Sequence, residues 1–253
     1  MKTVACYKVV PDVQDLDAFG SGSLEFARAA SVLGDYDLVA IEQAVRLAEE
    51  TNGEAALLSV GGSRLNDTKL AKAALSRGAA KLYRVVDEGF AEADSFQNAS
   101  AIAAALKNIE FDVVVFGEGS SSQYSQQVGI LAARMLGLPV VNAVRSARVE
   151  GGSLVCERDL DDAVESVKVS VPCAICMTSE ALLPRIPQLK DILAAGKKPV
   201  ETLDATAVGG IAPSPVTVVE RRVAPTAERK CVIYDSADSD AVSKLAADIK
   251  SFL

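Results

Sequence analysis

The stretch FDVVVFGEGSSSQYSQQVGILAARMLG, residues 111–137, contains an apolar run, a loop of glycine and serine, and a second apolar segment in direct succession. The first run predicts a buried strand over 111–116, and the later apolar residues recur at helical spacing, which predicts a helix over 123–136. Small residues let backbone N–H groups approach a phosphate, and a helix N-terminus favours negative charge. The stretch therefore predicts a strand, a phosphate-binding loop and a helix. Glycine and serine are also what any strand-to-helix turn requires, so both interpretations of the loop stand.

The same alternation of strand and helix runs through the first half of the chain. Apolar runs that end in glycine, proline or aspartate predict further buried strands, and apolar residues at helical spacing predict further helices. The predicted strands are residues 3–10, 55–60 and 82–86, and the predicted helices are residues 36–50, 67–77 and 95–107. Such alternation favours right-handed crossovers and a mostly parallel sheet. The predicted fold class is α/β, a Rossmann-like three-layer fold.

The pattern changes after Pro139. Val167, Val169 and Val171 alternate with polar residues at the period of two that a half-buried strand shows. The sheet is therefore expected to gain antiparallel strands in this part of the chain.

The C-terminal part has little apolar sequence of its own. It is rich in proline and glycine, and a final amphipathic helix near 238–252 is its main predicted element. We therefore divide the chain into an α/β domain, residues 1–200, and an extended C-terminal arm, residues 201–253, which is expected to pack on another chain.

Composition excludes several classes of protein. The chain has 49% apolar and 24% charged residues, as ordinary globular proteins do, and contains no histidine, which removes histidine-based acid–base catalysis and metal sites. Its net charge of -8 argues against a nucleic-acid-binding surface. No run of about 18 apolar residues predicts a membrane span, and five cysteines suit a reducing compartment. We expect a cytoplasmic protein with no metal site, no nucleic-acid partner and no stable membrane insertion.

The strand ends predict a ligand crevice. In a parallel sheet, the residues 6–8 and the pair Gly61–Gly62 would lie at the same edge as the serine-rich loop. The loop is neither a GxGxxG fingerprint nor a GxxxxGK[ST] loop, so a nicotinamide dehydrogenase or a phosphate-loop NTPase lacks its main support. The general inference is a nucleotide-binding site.

Three other features each allow two interpretations. Cys173 and Cys176 form a CxxC, but inside an apolar strand they would point to opposite faces, which favours structural cysteines over a redox dithiol. The acidic stretch 159–165 is either a solvated hairpin end or a docking site for an arginine of a partner. The leucine-rich segment 182–193 either folds back onto the sheet or protrudes as a recognition element.

Three groups of motifs resemble one known family. They are CYKVVPD (6–12) with GSLEF (22–26) and YDLVAIEQAVRL (36–47); GEGSSSQYSQQVG (117–129); and CERDLDDAVESVKVSVP (156–172) with PRIPQLKDILAAGKKPV (184–200). In this order they resemble the beta subunit of electron transfer flavoproteins, and the Fix-type branch is the closest.

The resemblance implies an adenine nucleotide in the predicted crevice, either AMP or a second FAD. The cofactor-binding residues that it implies are Cys6, Gly34, Asp35, Tyr36, Asp37, Val60, Gly117, Glu118, Gly119, Ser120, Ser121, Ser122, Gln123, Tyr124, Ser125, Gln126, Gln127 and Val128. Ser122 and Tyr124 stand where many members have acidic residues, and Gly34–Asp35 replaces an Asn–Pro pair. These departures leave the choice between AMP and FAD open.

The resemblance also implies the partners. The loop 184–199 would recognise an acyl-CoA dehydrogenase-type or other flavin or iron–sulfur partner through Leu189, Ile192 and Leu193, and Asp159 would contact the alpha subunit. An FAD shared with that subunit would carry the electrons, so the chain is expected to be an electron carrier without catalytic residues of its own, and catalytic only within an electron-bifurcating complex.

Two alternatives remain from other classes. One is a stand-alone adenine-nucleotide-binding sensor of similar α/β fold. The other is an adenylating or pyrophosphatase-like enzyme, for which residues 6–12 lack the required phosphate loop.

Overall fold

The computed structural model describes residues 1–15, 29–220 and 231–252. The GSLEF motif at 22–26 lies outside these residues, and so does part of the predicted C-terminal arm, at 221–230 and at residue 253. The strands are β1 (Lys2–Cys6), β2 (Val9–Pro11), β3 (Ser31–Leu33), β4 (Glu54–Gly61), β5 (Lys81–Val86), β6 (Val113–Gly117), β7 (Val140–Glu150), β8 (Ser153–Asp159), β9 (Val164–Ser170), β10 (Cys173–Met177) and β11 (Val200–Leu203). The α-helices are α1 (Asp35–Glu50), α2 (Thr68–Leu75), α3 (Ser95–Leu106), α4 (Val128–Met135), α5 (Leu189–Ala195) and α6 (Ala241–Lys250).

Within the part of the chain that the structure describes, nine strands form one sheet in the order β11-β5-β4-β1-β6-β10-β7-β8-β9. The pairs from β11 to β7 are parallel, whereas β7–β8 and β8–β9 are antiparallel. The chain places β4 and β5 on one side of β1 and then returns to place β6 on the other side. The order of the strands therefore reverses between β1 and β6, the position at which open α/β sheets bind ligands.

Helices cover both faces of the parallel strands because side chains alternate across each strand. On β1, Ala5 packs in the cluster with α1 and α2, whereas Val4 and Cys6 pack in the cluster with α3 and α4. The α/β three-layer fold with a mostly parallel sheet and added antiparallel strands is confirmed.

One predicted strand is wrong in its extent. The apolar run 3–10 is not a single strand: β1 ends at Cys6, and β2 pairs with β3 in a separate antiparallel sheet of two strands. The hydrogen bond from Lys8 N to the carboxylate of Asp37 takes the place of a strand pairing at this break. The periodicity shows an apolar run but not the sheet to which each part belongs.

The helix predicted over 123–136 begins five residues later, at Val128. Tyr124 and Gln126 have positive φ values of 46° and 55°, which a right-handed helix excludes. Residues 120–127 therefore form a longer loop than the sequence predicts, and the loop rather than a helix borders the crevice.

The sheet also extends further along the chain than the predicted strands do. The four residues of β11 pair with β5 at the edge of the sheet, and the next turn buries Ala205 and Val208. A strand of four residues after a proline gives too short a periodic signal to be predicted.

The C-terminal residues that the structure describes carry exposed apolar side chains. The final helix is confirmed as α6, and its Val242, Leu245 and Ile249 are 79%, 43% and 52% exposed. Among the described residues, no helix has both the length and the apolar character that crossing a bilayer requires.

Candidate functional site

A cleft of about 630 Å³, including the solvent in its mouth, opens at the carboxyl ends of β1 and β6. Its size is that of small-molecule binding sites, and it lies where the order of strands reverses. Among the predicted cofactor-binding residues, those that line it are Cys6, Asp37, Val60, Gly117, Glu118, Gly119, Gln123, Ser125, Gln126, Gln127 and Val128. The crevice predicted between the first strand and the serine-rich loop is thus present in the fold.

Other predicted residues are not part of the lining, and some lining residues were not predicted. Gly34, Asp35, Tyr36, Ser120, Ser121, Ser122 and Tyr124 are absent from the lining of this cleft. Tyr7 and Lys8 line it, as was predicted for residues 6–8 from the strand ends, whereas Gly61 and Gly62 do not. The lining residues that were not predicted are Asn98, Ile102, Phe116 and Gly129. Asn98 and Ile102 come from α3, and no local pattern in the sequence shows that this helix covers the end of β6.

Gly117 lies where β6 meets the start of α1. A Cβ atom at Gly117 would lie 2.8 Å from the carbonyl carbon and the Cβ of Tyr36, closer than side chains pack. The contact with α1 therefore accounts for this glycine, and a phosphate is not needed to explain it. Of the two interpretations of the loop, the structural one is sufficient at this position.

The serine-rich loop is held by its own hydrogen bonds and by one aromatic contact. Tyr124 N donates to Ser120 O at 2.9 Å, and the hydroxyls of Ser95 and Ser125 are 2.8 Å apart. The rings of Tyr36 and Tyr124 pack with centroids 5.4 Å apart, which places the loop over the N-terminus of α1. Glu118 accepts a hydrogen bond from the hydroxyl of Tyr124 at 3.3 Å. The loop is thus folded on itself and joined to α1 and α3.

Asp37 is a buried carboxyl group at the wall of the cleft. It lies in the first turn of α1 and accepts a hydrogen bond from Lys8 N at 2.7 Å. Burial raises its pKa to about 7, against the lowering effect of Lys8. A Cβ at Gly34 would lie 2.7 Å from the Asp37 carboxylate, so a glycine at 34 leaves room for this group.

Lys8 supplies a positive charge to the same wall. Its ammonium donates to the hydroxyl of Ser122 at 3.0 Å, which links the end of β1 to the serine-rich loop. Burial lowers the pKa of Lys8, whereas Asp37 and Glu92 raise it. A partly buried ammonium beside a row of hydroxyls and the N-terminal residues of α4 suits an anionic group such as a phosphate.

The cysteines in and near the cleft are thiols. Burial raises the pKa of Cys6 well above its ordinary value and that of Cys176 to about 12, so neither forms the reactive thiolate at neutral pH. Cys173 and Cys176 pack in the clusters on opposite faces of the sheet. The prediction that the two cysteines of the CxxC point to opposite faces of the sheet is confirmed, which favours structural cysteines over a redox dithiol.

The residues predicted to bind partner proteins lie away from the cleft. Leu189, Ile192 and Leu193 of the loop 184–199 are 72%, 46% and 68% exposed, so the segment does not bury them against the sheet. Asp159 lies at the end of β8 and pairs with Arg145 at 3.2 Å, both side chains being about half exposed. Both surfaces are accessible to a second protein.

Comparison with models of protein families gives a match to the electron transfer flavoprotein domain over residues 23–208, which is most of the chain. The matched range includes the serine-rich loop, α1 and the loop 184–199.

Proposed function

The chain belongs to the electron transfer flavoprotein family, and we propose that it is the beta subunit of such a protein, of the Fix-type branch. Members of the family transfer electrons. In the proposed function the chain binds an adenine nucleotide in the cleft between β1 and β6 and forms a heterodimer with an alpha subunit. It then passes electrons to or from acyl-CoA dehydrogenase-type or other flavin or iron–sulfur partners.

The observation that carries the proposal is the composition of the cleft at the reversal of strand order. Lys8, Ser125 and the N-terminal residues of α4 offer a cation, a hydroxyl and backbone N–H groups for phosphate oxygens. Val60, Ile102 and Phe116 give the same cleft an apolar wall that suits an aromatic base. These residues fit an adenine nucleotide. AMP is such a nucleotide, and FAD contains one as part of its structure.

The proposed role of the chain is to position cofactors. A bound flavin supplies the chemistry of accepting and donating electrons. The buried thiols of Cys6 and Cys176 are protonated, and among the described residues that line the cleft there is no nucleophile activated by a neighbouring base. This supports an electron carrier whose working FAD is shared with the alpha subunit, with a catalytic role only inside an electron-bifurcating complex.

Two exposed apolar surfaces support a protein that works in a complex. One is the loop 184–199, and the other is the C-terminal arm, where Val219 and Ile233 are 95% and 88% exposed. Large exposed apolar surfaces mark contacts with other proteins in soluble chains. They favour the heterodimer over the stand-alone nucleotide sensor, which would leave both surfaces in water.

The experiment that tests the proposal is to co-express the chain with a candidate alpha subunit from a neighbouring gene and to quantify FAD and AMP released from the denatured complex. One FAD and one AMP per heterodimer would support a simple carrier with a structural nucleotide. Two FAD and no AMP would place a second flavin in the cleft and support bifurcation. A complex that releases neither ligand, or a chain that purifies as a stable monomer with bound ATP, would overturn the proposal.

A further inference from the structure

The loop 184–199 is tied to the body of the protein at both ends while its apolar side chains face solvent. Leu183, Ile186 and Leu189 are 87%, 90% and 72% exposed, whereas the neighbouring Leu182 packs against the core. A surface segment with so little burial would sample many conformations unless other contacts held it. Ala195 is buried in the core, and Arg185 makes most of the polar contacts that hold the rest of the loop.

Arg185 spans two carboxylates of α1. Its Nε donates to Glu42 Oε2 at 2.7 Å, and its Nη1 and Nη2 donate to the two oxygens of Glu49 at 2.7 and 3.0 Å. Its backbone N donates to Glu42 as well, at 3.0 Å. A planar guanidinium that binds two carboxylates fixes orientation as well as position, which an ammonium does not.

Two further contacts fix the loop to the end of α2. Arg77 Nη1 donates to Arg185 O at 2.7 Å. At the other end of the loop, Lys198 Nζ donates to the carbonyls of Leu75 and Ala79 at 2.9 and 2.6 Å. Cations at the C-terminal carbonyls of a helix are favourable because the helix dipole is negative there.

The contacts of Glu42 distinguish two roles that Arg185 could have, which are to hold the loop in place and to stabilise the fold in general. Glu42 has a side chain only 3% exposed and already has a partner within its own helix, Arg46, at 2.6 Å. Pairing of the buried carboxylate thus does not by itself require Arg185. What Arg185 adds is a link between α1 and a segment more than a hundred residues away in the sequence.

We propose that Arg185, together with Lys198, is a positioning residue for partner docking, because the two cations hold the apolar surface of the loop in one conformation. The proposal rests on the loop being the docking surface of the proposed function. A surface that is already ordered loses less conformational entropy when a partner binds, so affinity is greater. We call the polar contacts of Arg185 and Lys198 with the body of the protein the clamp. Loss of the clamp should weaken docking and leave electron transfer within the docked complex nearly unchanged.

The test uses the purified heterodimer and, as partner, a purified acyl-CoA dehydrogenase of the same organism reduced by its acyl-CoA. The main variant is the double substitution Glu42→Gln and Arg185→Gln, which leaves no unpaired buried carboxylate. Arg46→Gln is the matched control, because Arg46 binds the same carboxylate but does not touch the loop. Leu189→Ala reports on the loop as a docking surface, and Lys198→Met tests the clamp at its other end.

We expect the double variant to raise the KM for the dehydrogenase roughly five- to tenfold and to change kcat less than about twofold. Amide hydrogen exchange in 184–196 should rise in the same variant, while bound FAD and nucleotide stay at the wild-type level. Arg185→Lys should have an intermediate KM, because it keeps the charge and loses the fork. Arg46→Gln should match the wild type.

The outcomes separate the clamp from the docking surface. A wild-type KM in both the double variant and Lys198→Met, with a raised KM in Leu189→Ala, overturns the clamp and leaves the proposed docking surface intact. A wild-type KM in Leu189→Ala shows that the loop is not the docking surface and overturns this inference with it. An equal rise of KM in Arg46→Gln, or loss of FAD from the double variant, assigns Arg185 to the stability of α1 and overturns the positioning role.

Discussion

At the scale of single residues, burial decides the chemistry of the cleft more than residue type does. The carboxyl of Asp37 and the ammonium of Lys8 have pKa values that burial moves towards the neutral form of each group. The sequence shows both residues, and it predicted Asp37 as a binding residue. It gave no reason to expect the change in either pKa, because the residues that exclude water from them come from distant parts of the chain.

Asp37→Asn should change how stability depends on pH. The pKa of an aspartate carboxyl in an unfolded chain is about 4, and burial raises the pKa of Asp37 to about 7 in the fold. Between these values the folded state holds more protons, so its free energy of unfolding falls as pH rises through this window. The asparagine variant keeps an oxygen for Lys8 N and has no such decline.

Denaturant unfolding of both proteins at intervals between pH 4 and pH 8 measures the effect. We expect the wild type to lose on the order of 3 kcal/mol relative to Asp37→Asn across the window. Parallel pH profiles of the two proteins would show that Asp37 is ionised in the fold throughout.

Lys8→Met should weaken nucleotide binding in the cleft. The substitution keeps the length of the side chain and removes the ammonium that donates to Ser122 and faces the proposed phosphate site. A charged hydrogen bond to a phosphate contributes about 1.5–3 kcal/mol, so we expect the Kd of AMP to rise roughly ten- to a hundredfold.

Isothermal titration of AMP into nucleotide-free heterodimer measures this Kd. Lys69→Met is the matched control, because Lys69 is exposed on α2 and does not line the cleft. An unchanged Kd in Lys8→Met would remove Lys8 from the proposed phosphate site.

At the scale of elements, apolar periodicity in the sequence predicted the long strands and helices but not the course of the loops. The helix α1 was predicted within one residue of its start, since apolar residues such as Leu38, Ile41 and Val45 recur at helical spacing. The start of α4 was predicted five residues too early. Its preceding residues have no proline to stop a helix, and only the positive φ values of Tyr124 and Gln126 exclude one.

The loop 184–199 is the element for which exposure supports a role in recognition. Leu189→Ala removes the apolar side chain predicted as the anchor, and a buried leucine anchor contributes about 1–2 kcal/mol to an interface. We expect the rate of electron transfer between the dehydrogenase and the heterodimer, at low dehydrogenase concentration, to fall roughly five- to thirtyfold, with unchanged flavin content.

Stopped-flow reduction of the heterodimer flavin by the reduced dehydrogenase measures this rate. Met135→Ala is a suitable control, because Met135 is also apolar and part exposed but lies at the end of α4. Equal rates in Leu189→Ala and the wild type would remove Leu189 from the anchor role.

At the scale of the whole molecule, the parallel sheet has both of its apolar faces covered by the chain itself, whereas the last helix leaves apolar side chains exposed. The core clusters on both faces of the sheet are closed by helices of the chain itself. In contrast, Leu245 and Ile249 on one side of α6 are 43% and 52% exposed, and Phe252, just after the helix, is 81% exposed. The packing of the arm on the alpha subunit and the division at residue 200 stay predictions, and residues 200–208 join the sheet and its core.

Charges on the apolar side of α6 should prevent assembly without unfolding the chain. Leu245→Asp with Ile249→Asp places two carboxylates on that side, where burial against a partner would cost several kcal/mol. We expect the doubly substituted chain to fold with wild-type circular dichroism and to lose most of its association with the alpha subunit.

Co-purification and analytical ultracentrifugation measure that association. The control is Ser243→Asp with Ala247→Asp, which places the same charges on the opposite side of the helix. Equal assembly of both variants would show that α6 does not lie in the interface.

The sequence by itself determined the order of the long strands and helices, the α/β class and the family resemblance, because apolar periodicity and motifs are local properties of the chain. It also placed the serine-rich loop at the end of a buried strand, and thus at the edge of the sheet. These conclusions needed no knowledge of which strands are neighbours.

Only the tertiary structure decided which strand ends meet and what lies between them. The adjacency of β1 and β6 forms the cleft, and α3 adds Asn98 and Ile102 to it. The contact of Gly117 with Tyr36 and the ion pairs of Arg185 with α1 join residues that are far apart in the chain. Such contacts depend on packing between elements, and local patterns in a sequence carry no record of that packing.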